Sequence, residues 1–499
     1  MVHGIIAIHG IGEGQRRGEF LAELVNAVAD FLEEAGGKVE RRFQVGERAT
    51  AYLRVTAPEG VEEFEFVEAY WADAFPPPRA TAVLGWLWPQ VRAQVSLLWA
   101  GLRDAANDAT FDPTGRGAPA VRNHTPTFSW GTRLAHVAWL VTLAILLLVA
   151  GVVFLPVLAL LQVLMLLPLP SALGPMGLLG KTIAPVLAIE PFLIRVVGDT
   201  YRYVNDGAWA ANIRGIVERC LVEMVVRPEV SDITIVAHSQ GCAIAYDALA
   251  EGSPVGQALR LHPKRLTLVT LGSGINRIFA LAHNSSSYAR RRFSLPLDSA
   301  VRGAGQVLAL EDLRRRFYWV DLYARLDPVP AGPVSDSILR QAGLDPGQVK
   351  RRRVINTDNP VSDHSLCSYL GNRDLVLPRV VRALYGGDDR WKEVTSVRPE
   401  QVRWRTRAVA FIHLPWVIWV WGVMALALIL VFWEGGREGL VGAVGPKVQA
   451  LPGLGQVLER LKTESLQAAF AAVLVAGALG GVAILVSQVL RMTVARGRL

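Results

Sequence analysis

The sequence predicts an α/β fold: a mostly parallel sheet with helices on both faces, joined to a helical transmembrane region of about four spans. Three observations lead there. Short β-branched runs alternate with helical stretches, which is the pattern of a parallel sheet. Three long windows carry no formal charge. Charged residues are 19% of the 499, below the roughly 25% of soluble domains, and mean hydropathy is +0.30. A disordered chain is excluded, and an ordinary soluble enzyme is disfavoured. The net charge of +8 and pI near 9.6 suit cytoplasmic flanks and anionic lipid headgroups. No recognition module accompanies the charge, so nucleic acid is not an expected partner. Three cysteines, Cys220, Cys242 and Cys367, form no CxxC and leave one unpaired in any disulfide scheme.

In chain order, residues 2–9 form a β-branched run ending at Gly10 and read as a buried strand. Residues 20–34 have helical periodicity and stop at Gly36–Gly37. Residues 64–70 alternate apolar and acidic side chains, as a strand does. Residues 212–226 are helical and end before Pro228. A short strand at 233–237 runs directly into a helix at 242–250. Further strands are expected at 266–271 and 317–323, and a closing helix at 376–384. The N-terminus does not read as a signal peptide, because the apolar stretch to Gly10 is too short.

The charge-free windows are 134–180, 408–433 and 465–490. A spanning helix needs about 20 apolar residues. The last two windows each fit one span. The first is too long for one and holds Pro156, Pro168, Pro170 and Pro175, so it reads as a hairpin. Arg122, Arg133, Arg195, Arg202, Arg403, Arg405, Arg407, Arg491, Arg496 and Arg498 flank the windows, which places those flanks on the cytoplasmic side. Strands before and after the first window must join one sheet, so the intervening chain crosses an even number of times. Residues 82–102 carry Trp86, Trp88 and Trp99 among Gln90, Arg92 and Gln94. They suit an interfacial amphipathic helix, or equally a helix packed on the protein's own core.

The strongest local signal is Ile233-Thr-Ile-Val-Ala-His-Ser-Gln-Gly-Cys242. A strand, a tight turn and a helix place Ser239 between the small residues Ala237 and Gly241, which is the pattern of a nucleophile elbow. A serine hydroxyl needs a base to take its proton, and the base needs an orienting acid. Asp327 lies just beyond the strand at 317–323. Asp321, inside that strand, reads as structural, and Asp336 is the runner-up. His364 lies in a polar loop before the last helix, with Asp358 and Asp363 close by in sequence. An oxyanion requires preorganised N–H donors. Gln240, following the nucleophile, offers one. Ile11, in the Gly10-Ile-Gly12 turn after the first strand, offers the other. No metal constellation or cofactor motif is visible.

These motifs together resemble the α/β-hydrolase lipases and esterases: His9-Gly-Ile-Gly12, Ala237-His-Ser-Gln-Gly241, Leu326-Asp-Pro328 and Ser362-Asp-His364. The resemblance covers roughly 1–80 and 198–390. It departs from compact members in the long insert before the elbow, and in Ala at the first elbow position. It implies a cofactor-free serine hydrolase on carboxylic esters, with Ser239, Asp327 and His364 as triad, Ile11 and Gln240 as oxyanion donors, and Gly10, Gly12 and Gly241 shaping the turns.

The expected organisation is a split hydrolase domain (1–80 and 198–400), an amphipathic insert (81–133), a membrane hairpin (134–197) and a C-terminal two-helix membrane region (401–499). The expected function is a membrane-anchored lipase or carboxylesterase on the cytoplasmic face of a bacterial inner membrane. Its partners would be an acyl-ester substrate and anionic lipid headgroups. An acyltransferase or thioesterase with the same triad, and a membrane scaffold with an inactive hydrolase domain, are the alternatives. The segment 276–316 is a candidate lid. The arginine runs 290–292, 314–316 and 351–353 are candidate lipid contacts or solvated faces.

Overall fold

Ile5, Ile6 and Ile8 are completely buried, and that burial on both faces places the first strand, β1 (Val2–Ile8), inside the sheet. A computed structural model describes residues 2–11, 16–57, 60–74, 78, 82–83, 85–86, 197–302, 317–324, 327, 329–330, 332–344, 349–354, 356 and 364–385. All belong to one compact unit of the chain, made of 1–126 and 144–402.

The strands after β1 are β2 (Lys38–Val45), β3 (Ala49–Ala57), β4 (Gly60–Glu68), β5 (Val230–His238), β6 (Arg265–Leu271), β7 (Phe317–Ala324) and β8 (Val349–Val354). They form one eight-stranded sheet in the order β2-β3-β4-β1-β5-β6-β7-β8. Only β3 runs against the others. The two edges are β2, KVERRFQV, and β8, VKRRRV. Charge on an edge strand opposes pairing with another chain.

Helix α1 (Glu19–Glu34) buries Leu21, Leu24, Val25, Val28 and Leu32, spaced three and four apart, so one apolar stripe meets the sheet. Helix α2 (Gly207–Val226) starts where Asp206 accepts the N–H groups of Ala208 and Trp209, at 3.1 and 3.2 Å. Helix α3 (Gln240–Ala248) follows β5 directly and is buried along its whole length. Then come α4 (Pro254–Leu261), α5 (Ile275–His283), α6 (Ser287–Arg292), α7 (Ser299–Arg302), α8 (Asp336–Gln341), α9 (Leu366–Leu370) and α10 (Leu377–Leu384).

Register brings the carboxyl ends of four strands together. Ile8 pairs with Ala237, His238 with Leu271, and Leu271 with Leu322. The turns that follow β1, β5, β6 and β7 therefore share one edge of the sheet, where parallel α/β proteins place their sites.

The structure departs from the sequence reading in several places. Strands β2, β3 and β8 were not expected, because exposed or edge strands lack a continuous apolar run. Arg351 points into the protein: it is 7% exposed and pairs with Asp336 at 2.5 Å. Arg292 is 6% exposed and lies 3.2 Å from Asp247. Neither is a lipid contact, because each neutralises a carboxylate of its own domain. The described part of the candidate lid, 276–302, is built into the domain: Leu281, Ala282, Phe293, Leu297 and Val301 are core residues. Trp86 packs on the same core, donates to Ser285 at 3.0 Å and meets Tyr201 edge-on. At that residue the alternative of packing on the protein's own core holds. Among the described residues no helix is long and apolar enough to cross a membrane. The windows 134–180, 408–433 and 465–490 lie outside the described residues, as do Arg314, Arg315 and Arg316.

Helix α3, which follows Ser239, is anchored by one buried carboxylate. Asp247 of α3 accepts from the Tyr203 hydroxyl at 2.9 Å and faces Arg292, which also donates to the Tyr203 carbonyl at 2.9 Å. Removing the acid strands a buried guanidinium. Asp247→Leu should destabilise the folded protein by about 3–5 kcal/mol. Asp206→Ala, which removes only a cap, should cost about 1 kcal/mol. Denaturant unfolding of the full chain checks both.

Candidate active site

Ser239 stands at the end of β5 with φ 56° and ψ −125°, the one positive φ at a non-glycine position among the described residues. Such a conformation costs about 1–3 kcal/mol and persists only where its surroundings hold it. Here the Ser239 N–H donates to Leu271 O at 3.0 Å, and its carbonyl accepts from Gly274 at 3.0 Å and Cys242 at 3.2 Å. Two glycines give the turn its room. A Cβ at Gly10 would lie 2.7 Å from the Ser239 Cβ. One at Gly241 would strike the carbonyl oxygens of Ile8, at 2.6 Å, and His9. A side chain at either position displaces the elbow from β1.

The three residues singled out in sequence meet. His364 Nε2 lies 2.7 Å from Ser239 Oγ, and His364 Nδ1 lies 2.9 Å from Asp327 Oδ2. A carboxylate only accepts, so Nδ1 carries the proton and Nε2 presents its lone pair to the serine O–H. Asp327 is wholly buried, whereas the His364 side chain is 21% exposed. Burial of a carboxylate demands donors. Asp327 Oδ2 also accepts from the Tyr369 hydroxyl at 2.8 Å, and Oδ1 accepts from Val329 N–H at 2.9 Å.

The acid's loop is held from the start of α5. Asn276 Nδ2 donates to the carbonyls of Pro330 and Pro333 at 2.9 and 2.8 Å, and its Oδ1 accepts from Ser335 N–H at 3.1 Å. Arg277 Nε donates to Val329 O at 2.9 Å. Burial lowers the Arg277 pKa to about 10, against the opposing pull of Asp327. Asp321 is structural, as its place inside a strand suggested. It accepts from Thr270 Oγ1 at 2.8 Å and Val334 N–H at 2.9 Å, and burial raises its pKa to about 6. Asp336 pairs with Arg351.

The turn after β1 reaches Ser239. Gly10 abuts Ser239, and Ile11 is the next residue. Gln240 opens α3, so the helical ladder does not use its N–H. Of the two expected oxyanion donors, Gln240 follows the serine directly, and Ile11 follows the glycine that abuts it. His9 fixes the turn: Nδ1 donates to Gly10 O at 3.1 Å, Nε2 accepts Trp71 N–H at 3.2 Å, and its ring stacks on Trp71 at 4.8 Å. Gly12, Asp358 and Asp363 lie outside the described residues.

Sequence reasoning missed Asn276, Tyr369, His9 and His238. Asn276 follows the Gly272-Ser-Gly274 turn beyond a strand, a place that could have drawn attention. Tyr369 carried no signal, since its role exists only because α9 folds back on Asp327. Comparison with protein-family models, curated proteins and solved structures finds no match, so the site rests on its own geometry.

Burial lowers the His9 pKa from the ordinary 6.5 to about 4. Its contribution to stability is complete above pH 6.5. As pH falls below that, the unfolded chain takes the proton first, and stability is lost until the folded imidazole titrates at about 4. Glu68, raised to about 7, and Asp321, raised to about 6, act in the opposite direction. The test is therefore comparative. The stability advantage of wild type over His9→Phe should shrink by about 3 kcal/mol between pH 7 and pH 4, read from denaturant unfolding at each pH.

Proposed function

We propose that the chain is a membrane-anchored serine hydrolase of the α/β-hydrolase kind, cleaving acyl esters through an acyl-enzyme on Ser239. One observation carries the reading. A serine on a strained strand-to-helix turn sits within 2.7 Å of an imidazole, and the imidazole's other nitrogen sits within 2.9 Å of a buried carboxylate. Hydrogen-bonding distances and tautomer agree with general-base activation of a hydroxyl.

In this mechanism Ser239 Oγ attacks the ester carbonyl while His364 Nε2 takes its proton. The new C–O bond places negative charge on the carbonyl oxygen, which the N–H groups of Ile11 and Gln240 hold. Asp327 stabilises the imidazolium without taking its proton. Collapse breaks the bond to the alcohol, which leaves with the proton from His364. Water then attacks the acyl-enzyme, again deprotonated by His364, and the acid departs. The chain's own residues supply every group.

Lipidic substrates are favoured by where the chain runs. The sequence between Trp86, which packs on the core, and residue 197 contains the 134–180 window. Within 197–205, Thr200 Oγ1 donates to Gln240 Oε1 at 2.8 Å. The apolar sequence of 134–180 thus precedes a segment that is bonded to the residue following Ser239. The basic flanks of the apolar windows favour the cytoplasmic side of an inner membrane for this domain.

Ser239→Ala should abolish both ester hydrolysis and labelling by a fluorophosphonate. Asp327→Asn should lower kcat by about 10⁴-fold, because the amide no longer fixes the required tautomer. Ester hydrolysis retained in full by Ser239→Ala would overturn the reading.

A further inference from the structure

We propose that His238 is the positioning residue for the general base: the elbow that presents Ser239 also holds His364 in register with it. The inference rests on the serine-hydrolase reading. His238 is the last residue of β5, paired with Leu271 in the sheet and adjacent to the nucleophile. Its Nε2 lies 2.7 Å from the main-chain carbonyl of His364. A carbonyl only accepts, so Nε2 is the protonated nitrogen. The two imidazole rings stack with centroids 4.8 Å apart and planes 25° apart. Tyr369, which donates to Asp327, meets the His238 ring edge-on at 6.0 Å.

Each contact restrains a different freedom of the base. The hydrogen bond ties the backbone of His364 to the end of β5, so the distance between base and nucleophile is set by the sheet. The stacked ring keeps the His364 imidazole in the plane that points Nδ1 at Asp327 and Nε2 at Ser239. An apolar side chain fills the same space, but only a donor grips the carbonyl.

The charge state suits the task. Burial lowers the His238 pKa to about 3, so the ring is neutral at working pH. A charged ring there would oppose the imidazolium that His364 becomes during acylation. His9 and Asp327 are the other titratable groups that act on His238, and His9 is likewise neutral. The remaining nitrogen, Nδ1, is buried and turned toward Gly10, with no room for proton exchange with substrate. His238 is therefore not a catalytic residue.

The experiment compares His238→Phe, His238→Met and His238→Gln in the full chain in detergent. It follows p-nitrophenyl ester hydrolysis, the rate of fluorophosphonate labelling and the thermal midpoint. Phe and Met cannot donate, and should lower kcat and labelling rate by about 10–100-fold with KM nearly unchanged, the effect of a base displaced by about 1 Å. Gln can donate to the same carbonyl and should recover most of the loss at an equal thermal midpoint. Two results overturn the proposal: either non-donor variant working at the wild-type rate, or Gln failing to recover activity while folded as wild type. Absence of Ser239-dependent labelling in wild type would instead overturn the serine-hydrolase reading. Ser239-dependent labelling with His238→Phe at full rate overturns this inference alone.

Discussion

A serine held at φ 56° has to be clamped from several sides, and the architecture around the site follows from that need. The clamp is made of backbone: Leu271 O takes the Ser239 N–H, and Gly274 and Cys242 donate to its carbonyl. Those partners exist only if β6 lies beside β5 in parallel register and is followed at once by a turn. The opposite side requires β1 to lie against the elbow without a side chain between them. Gly10 and Gly241 remove the Cβ atoms that would forbid it. The order β1-β5-β6 is thus a condition of presenting the hydroxyl, and the sheet supplies the rigidity that offsets the strain.

The electrostatic design is a set of buried groups with fixed and opposite assignments. Asp327 is buried but surrounded by donors, from Tyr369, Val329 and His364. His9 and His238 are buried with their pKa values pushed down to about 4 and about 3, so they serve as neutral hydrogen-bonding rings. His364 alone among these imidazoles has a protonated nitrogen on a carboxylate and a free lone pair on a hydroxyl. Three histidines of identical chemistry therefore do three different things, set by what each ring nitrogen faces.

The fold also ties the site to the rest of the chain. The acid's loop is pinned by Asn276 and Arg277, at the beginning of the helix that follows β6. The segment re-entering at 197–205 bonds to Gln240 through Thr200 and braces Asp247 through Tyr203. The segment 276–302, which reads in sequence as a loop between strands, is consequently part of the scaffold.

Much of this was legible from sequence because the signals were local. Ala237-His-Ser-Gln-Gly241 between a β-branched run and a helix specifies a turn whose sterics depend on five residues. Asp327 and His364 followed from their places after a strand and before a helix. The central strands were readable as mostly apolar runs, since burial on both faces leaves few polar positions. Strands β2, β3 and β8 were not, because a half-exposed or edge strand tolerates KVERRFQV or VKRRRV and hides in a charge run. The pairing of Arg351 with Asp336 and of Arg292 with Asp247, the three bonds of Asn276 and the grip of His238 on His364 join residues with no shared local pattern. Sequence determined which groups could do the chemistry; only the tertiary structure decided their neighbours, because hydrogen bonds and ion pairs depend on proximity in space.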